Sequence, residues 1–377
     1  MTLALTAVAA ETRGLDAPPV PLMRPLLPTT DALLPYLREI DATRLYSNSG
    51  PLTRRLEERF GAHFGARAAV AVNATFAITA ALIAQAPAPG SLCLLPSWTF
   101  AATPHAVLAA GLIPYFVDVR PSDGCLDPEA VPAAIATAPG PVSALCVVAP
   151  YGAPLDADRW SRLADRLGLA LVVDSAAGFD TAVAVRHPQI VSLHATKALA
   201  SGEGGLLFAT DADVIYRTRR VINYGFEGGR RAVLRGFNGK MSEYHAAVGL
   251  AAFDGWPARR RRMAELAKAY RQALRQVPGV ALQDGWGESW VSATAIIDLG
   301  ADGAAEVEAA MEKQGIGCRR WWGEGCHTQP AFAPYPRTDL PATEALARRQ
   351  LGLPFFVDLS EDQMSRVAAT LRTILGR

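Results

Sequence analysis

Only four of the 37 basic residues are lysines: Lys197, Lys240, Lys268 and Lys313. Lys197 stands in the stretch Ser192-Leu193-His194-Ala195-Thr196-Lys197-Ala198-Leu199-Ala200-Ser201-Gly202-Glu203-Gly204-Gly205, between an apolar run and a glycine-rich turn. A chain that meets its need for positive charge with arginine gains one thing from lysine. Its amine can lose a proton near neutral pH and attack a carbonyl. Ala195, Ala198 and Leu199 flank it, and an apolar setting lowers an amine's pKa. The competing reading is a lysine that closes a strand end. Lys268 falls on a long amphipathic pattern, and Lys313 precedes Gly315, where a helix C-terminus favours any cation.

Two further groups carry chemistry. Asp174 ends the apolar run Leu169-Ala170-Leu171-Val172-Val173. A carboxylate at the end of a buried strand needs a partner. That partner is a helix N-terminus, an arginine, or the protonated ring nitrogen of pyridoxal phosphate. The third group is Val72-Asn73-Ala74-Thr75-Phe76-Ala77, which reads as a strand, small polar residues and then a helix. Open N–H groups at a helix start, with a Thr hydroxyl, make a phosphate cradle. Asn73 also fits a simple N-cap.

Other chemistries fail on spacing. Gly236-Phe237-Asn238-Gly239-Lys240-Met241 resembles the end of a nucleotide phosphate loop. Leu234 replaces its first glycine, however, and Met241 its Ser/Thr. No G-x-G-x-x-G follows a strand. Cys318, Cys326 and His327 match no zinc spacing, so no metal is expected. The five cysteines are scattered and odd in number, which reads as reduced thiols in a cytoplasmic protein. A net charge of +1 does not favour nucleic acid or an anionic membrane, and Arg259 to Arg262 reads as a solvated helix face. No apolar run is long enough to cross a bilayer. The opening MTLALTAVAAETRG has no basic n-region and is not read as a signal peptide.

These groups must be held by strands alternating with helices. Short apolar runs occur at 68–72, 92–95, 113–119, 144–148, 169–173, 191–194 and 206–209. Helical patterns at 75–86, 100–111, 127–137 and 156–167 separate most of them. That alternation predicts a mostly parallel seven-stranded sheet covered on both faces, a three-layer α/β/α domain. The last runs lie too close for helical crossovers, so part of the sheet is expected to be antiparallel. A long helical segment follows over 242–277, broken near Trp256-Pro257. Strand-like 291–298, a helix at 303–314 and a terminal helix complete a smaller α+β unit. The expected division is an arm at 1–30, a large domain at 31–250 and a small C-terminal domain at 251–377. Sites in such sheets lie at the carboxyl ends of strands.

With these motifs the chain resembles the DegT/StrS type of pyridoxal-phosphate sugar aminotransferases, which have the aspartate aminotransferase fold. The most specific match is S-[FL]-H-x-x-K followed by E-G-G, in Ser192, Leu193, His194, Lys197, Glu203, Gly204 and Gly205. Ser49-Gly50-Pro51-Leu52, Thr99-Phe100-Ala101-Ala102-Thr103, Gly236 to Lys240 with Ser242-Glu243, and Leu353-Pro354 also fit. The resemblance implies that Lys197 holds pyridoxal phosphate as a Schiff base and that Asp174 pairs with its ring nitrogen. It further implies that Phe100 stacks on the ring, and that Ala74, Thr75 and Ser192 bind the phosphate. Asn238 would reach the phosphate in a neighbouring subunit, giving a homodimer with shared active sites.

The resemblance implies a reaction that moves an amino group from L-glutamate or L-glutamine to a keto-sugar, with a nucleotide-linked sugar as the expected acceptor. Relatives that replace the lysine with histidine are dehydratases; this chain keeps Lys197. A non-catalytic sensor on the same fold is the other reading. Arg319, Arg320, Trp321, Trp322 and His327, with Arg230 and Arg231, are the substrate-binding candidates. Three positions depart from the family pattern. Ala177 stands where Gln is usual, Asn73-Ala74-Thr75 replaces S-G-T, and Arg319 to His327 replaces a His-Tyr motif.

Overall fold

The computed structural model describes residues 18–376, so the MTLALTAVAAETRG segment lies outside the described residues. Two helices come first. Helix α1 (Thr30–Thr43) is capped by the Thr29 side chain, and α2 (Pro51–Phe64) begins on proline and ends on left-handed Gly65. Proline at the first helical position and glycine just past the last are the usual helix limits. Leu52, Leu56 and Phe60 recur at helical spacing and are buried.

The α/β alternation then runs as expected: β1 (Arg67–Ala71), α3 (Ala74–Ala84), β2 (Leu92–Pro96), α4 (Ala102–Ala109), β3 (Ile113–Val117), α5 (Val131–Ala136), β4 (Val142–Val148), α6 (Ala157–Leu167), β5 (Ala170–Asp174), β6 (Gln189–Ser192) and β7 (Gly205–Ala209). These strands form one sheet in the order β1-β7-β6-β5-β4-β2-β3. β2, β3, β4, β5 and β6 pair in parallel, whereas β7 is antiparallel to both β6 and β1. The reason is local: no helix lies between β6 and β7, and a parallel partner needs a long crossover.

Strand side chains alternate between two cores. Ala69, Ala71, Cys93, Leu95, Val172, Ile190 and Leu207 face one core, which α3 and α4 cover. Leu94, Leu145, Val147, Leu171 and Val173 face Trp160 and Leu163 of α6, and Val70, Val191, Leu206 and Phe208 face α2. Helix α3, ATFAITAALIA, is apolar nearly all round and buried over most of its length, as a helix at the centre of a layer must be. All five cysteines are free and buried.

Helix α7 (Ala212–Ile222) was not resolved by the sequence pattern, because three arginines in its second half break up the apolar face. A short hairpin of β8 (Phe226–Glu227) and β9 (Arg231–Ala232) follows. The long helical segment divides into α8 (Glu243–Asp254) and α9 (Trp256–Leu274) at Gly255. A second, antiparallel sheet comprises β10 (Ala281–Leu282), β11 (Ala295–Asp298) and β12 (Gln350–Leu353), with α10 (Ala304–Lys313), α11 (Pro341–Arg349) and α12 (Glu361–Ile374) around it. β11 is shorter than the apolar run 291–298 because Ser292 turns back on Thr294. The start of the described chain packs here: the N–H of Val20 bonds the Gly315 carbonyl, and its own carbonyl takes the N–H of Gly317. No helix among the described residues is long and apolar enough to cross a membrane.

Candidate active site

The loop from Leu193 to Gly204 joins β6 to β7 and carries Lys197. Its limbs are pinned together by bonds from Leu193 N–H to Gly204, Ala195 N–H to Gly202 and Ser201 N–H to Leu193. Ala198, Leu199 and Ala200 are buried behind it. Burial lowers the Lys197 amine below its ordinary value, opposed by the Asp174 charge. The amine has no hydrogen bond or ion pair among the described residues. The apolar and glycine halves of the opening motif thus have separate work: one desolvates the amine and the other closes the loop.

Gly205 shows why the motif ends in glycine. A Cβ there would lie 2.4 Å from the Asn73 carbonyl oxygen and 2.7 Å from the Ala74 nitrogen. The start of β7 therefore passes directly against the start of α3. Asn73 caps that helix: its side chain accepts the Phe76 N–H at 2.8 Å, and its carbonyl accepts that of Ala77. The first two helical N–H groups, on Ala74 and Thr75, are left open, as helix starts leave them. The N-cap reading of Asn73 is the one its geometry shows. Gly239 closes the other side, where a Cβ would fall 1.8 Å from the Phe76 ring.

Asp174 is the last residue of β5 and is 6% exposed. Thr103 donates its hydroxyl to Oδ2 at 2.8 Å, and the Ala176 N–H bonds Oδ1 at 3.1 Å. Burial raises its pKa, offset by those two donors and the Lys197 charge. No arginine reaches it among the described residues. Ser192 ends β6, is buried, and accepts the His194 N–H at 3.3 Å. Phe100 follows β2 with 62% of its surface exposed, so a phenyl ring stands open where the other groups converge.

His194 is a positioning residue in the loop. Its Nδ1 contacts Thr196 Oγ1 at 2.9 Å and accepts the Thr196 N–H, while Nε2 lies 3.6 Å from Glu203. The backbone of Asn238 bridges Asn223, and its side chain is exposed.

The substrate candidates separate. Arg319 is exposed over the Trp321 ring at 5.4 Å. Arg320 is held by Glu308 and Glu324. Trp322 stacks on Tyr151 at 4.2 Å and meets Trp98 edge-on. His327 is buried on Ser97. Arg231 pairs loosely with Glu227, and Arg230 sits on the exposed hairpin turn. Arg319 and Arg230 are therefore the least committed to the protein, whereas the Trp321 indole packs against Gly352 with its Nε1 buried and unpartnered among the described residues.

Three residues without an assigned role in the sequence reading belong to the region. Thr103 holds Asp174. Tyr151, after β4, adopts a left-handed backbone at φ 57°, a strain typical of functional edges. Asp118 accepts both the Ala342 and Thr343 N–H groups, tying α11 to the end of β3. The signal for Thr103 was its place in the Thr99 to Thr103 motif; the Tyr-Gly step after an apolar strand was the signal for Tyr151.

A desolvated amine, a buried carboxylate with no ion pair among the described residues, an open phenyl ring and a helix start lie at one end of the sheet. They match the aldehyde, ring nitrogen, ring face and phosphate of pyridoxal phosphate. The class is a pyridoxal-phosphate-dependent aminotransferase. The family model for the DegT/DnrJ/EryC1/StrS aminotransferase family matches residues 29–372, and the chain belongs to that family.

Among curated relatives, the dTDP-4-amino-4,6-dideoxy-D-glucose transaminase of Escherichia coli is 28% identical over 93% of this chain and 98% of its own. The erythromycin biosynthesis sensory transduction protein EryC1 of Saccharopolyspora erythraea is 31% identical over 86% of this chain and 90% of its own. The solved structure of DesI with its TDP-sugar product is 32% identical, covering 96% of this chain and 94% of that one, with a TM-score of 0.86. A putative PLP-dependent aminotransferase from Bacillus cereus superposes at 0.87 with 28% identity, over 94% and 99% of the two chains.

Proposed function

We propose that this aminotransferase moves an amino group from L-glutamate or L-glutamine to a keto-sugar carried on a nucleotide. The observation that carries the reading is the Lys197 amine, with no hydrogen bond or ion pair among the described residues, close enough to Asp174 for each charge to act on the other. Bound pyridoxal phosphate supplies the electron sink for cleaving the Cα–H bond of the donor. Lys197 Nζ binds the coenzyme covalently. When not bound to the coenzyme, Nζ would take the Cα proton of the donor and return it, as general base and then acid. Burial lowers its pKa below the ordinary lysine value, which favours the neutral amine that must accept the proton.

Asp174 pairs with the ring nitrogen, Phe100 covers one ring face, and the N–H groups of Ala74 and Thr75 with the Ser192 hydroxyl hold the phosphate. Asn238 serves the site of a second copy. The exposed aromatics Tyr46, Tyr224, Phe237 and Tyr244 support a homodimer, since such rings favour burial at an interface. Arg319 and Trp321 meet the acceptor, a cation and a ring suited to an anionic nucleotide-linked sugar. The likeness to the E. coli dTDP-4-amino-4,6-dideoxy-D-glucose transaminase and to DesI, solved with its TDP-sugar product, supports a nucleotide sugar.

The name of EryC1 speaks for the sensor reading; the intact Lys197 and Asp174 pair speaks against it. A dehydratase is disfavoured because a lysine, not a histidine, occupies position 197. The test is an absorbance titration of the coenzyme-loaded protein with L-glutamate and L-glutamine. Conversion to the pyridoxamine band, its reversal by a nucleotide-linked keto-sugar, and loss of both in Lys197→Ala are expected. A loaded protein that leaves the band unchanged with both donors overturns the proposal.

A further inference from the structure

Buried threonines on helices elsewhere in this chain use their hydroxyls in two ways: Thr53 and Thr343 donate to the carboxylates of Glu243 and Asp118, and others bond their own backbone. Thr79 bonds the Thr75 carbonyl at 3.1 Å, and Thr218 that of Val214 at 2.7 Å. Thr103, fully buried in the first turn of α4, is of the first kind. The carbonyl one turn back belongs to Thr99 and receives the Cys326 Sγ at 3.1 Å. The Thr103 hydroxyl points instead to Asp174 Oδ2 at 2.8 Å and lies 2.8 Å from Thr99 Oγ1.

Proton bookkeeping sets the direction of this chain. A carboxylate only accepts, so Thr103 donates to Asp174. Its own proton is then used, and Thr99 must donate to Thr103. With the Ala176 N–H on Oδ1, both carboxylate oxygens are anchored from protein, which fixes the plane of the group.

We infer that Thr103 is a positioning residue for the coenzyme: its hydroxyl, secured by Thr99, aims the Asp174 carboxylate at the ring nitrogen. The inference rests on the proposed role of Asp174. It also gives the Cys326 segment a part in the arrangement, since Cys326 holds the carbonyl that Thr103 would otherwise use.

The test is spectrophotometric titration of the apoprotein with pyridoxal 5′-phosphate, followed by a pH titration of the bound absorbance band. Thr103→Val keeps the shape and removes the hydroxyl. It is expected to weaken coenzyme binding about tenfold, the worth of one hydrogen bond to a charged group, and to displace the band's pH midpoint. Thr103→Ser should stay within about twofold of the parent, which a role in packing alone would not produce. In an Asp174→Asn background, Thr103→Val should add nothing.

Parent-like binding and pH midpoint in Thr103→Val, with Asp174→Asn still impaired, overturn the positioning role and leave the Asp174 assignment standing. Parent-like behaviour of Asp174→Asn overturns both. Should Thr103→Val fail to fold, Thr99→Val is measured in its place. A loss of about threefold is expected there, and none overturns the relay.

Discussion

Ser97 and His327, 230 positions apart, share a 2.7 Å hydrogen bond between the Ser97 hydroxyl and the imidazole Nδ1. The Ser97 Oγ also accepts the His327 N–H at 3.1 Å, and the Cys326 N–H bonds the Ser97 carbonyl. Ser97 opens the segment that ends in Phe100. The loop expected to meet substrate is thus fastened to the loop expected to cover the coenzyme.

That fastening is sensitive to acid. Burial and the nearby Arg337 charge lower the His327 pKa below its ordinary 6.5. A histidine depressed in the folded state binds its proton more weakly there than in the unfolded chain. Its stabilising share is therefore complete above pH 6.5 and is lost as pH falls through the folded value. His63 and His187 are depressed too and add to the slope. Melting temperatures measured downward from pH 7 should fall, and those of His327→Asn should fall less steeply. Equal slopes would remove His327 from the account.

Phe100 is exposed and makes no ring contact among the described residues. Phe100→Ala should leave unfolding free energy within about 0.5 kcal/mol of the parent. Coenzyme affinity should drop by about 0.5–1.5 kcal/mol, the worth of one aromatic stack. Denaturant unfolding of the apoprotein and coenzyme titration measure the two quantities separately.

Gly205→Ala places a methyl group against the Asn73 carbonyl, where the nearest backbone has little room to yield. A cost of about 1–3 kcal/mol in stability is expected from the overpacking. Weaker coenzyme binding should accompany it if the displaced backbone holds the phosphate as proposed. Unchanged affinity in a destabilised variant would separate the cradle from this contact.

Lys197 titrates below the ordinary lysine value of 10.5. Covalent capture of pyridoxal phosphate by the apoprotein should rise with pH and level off below that value, since only the neutral amine attacks. Stopped-flow absorbance across about pH 6–11.5, wide enough to include the ordinary lysine value and a shift of the size burial produces, follows it. A rate still climbing through 10.5 would contradict a desolvated amine.

A buried carboxylate organises the front of the molecule as well. Glu243, 1% exposed, accepts the N–H groups of Leu52 at 2.8 Å and Thr53 at 3.0 Å. Glu243→Ala strands those donors, each at about 1–3 kcal/mol. Urea unfolding should show the midpoint falling sharply, whereas an exposed acid such as Glu306 changed to Ala should move it little.

Much of this was legible in the chain. All seven strands of the large sheet appear as apolar runs, because a sheet covered on both faces needs continuous hydrophobic segments. Lys197, Asp174 and Asn73 are readable from local context, each at a strand end with small or apolar neighbours. The antiparallel place of β7 follows from the missing crossover. Helix α7, α11 and β12 were less legible, being short and rich in arginine or bounded by loops.

Tertiary structure alone decided which side chains are spent. Nothing local distinguishes Arg319 from Arg320 or Trp321 from Trp322. Glu308 and Glu324 engage one arginine, and Tyr151 with Trp98 engages one tryptophan. Nor does the spacing of Thr99, Thr103 and Asp174 announce a relay, since its members meet only when β2 and β5 lie in the same sheet with β4 between them. The chain's own order determined what each segment becomes, through backbone propensity and apolar pattern over a few residues. Long-range packing determined which polar groups find partners in the protein and which are left for a ligand.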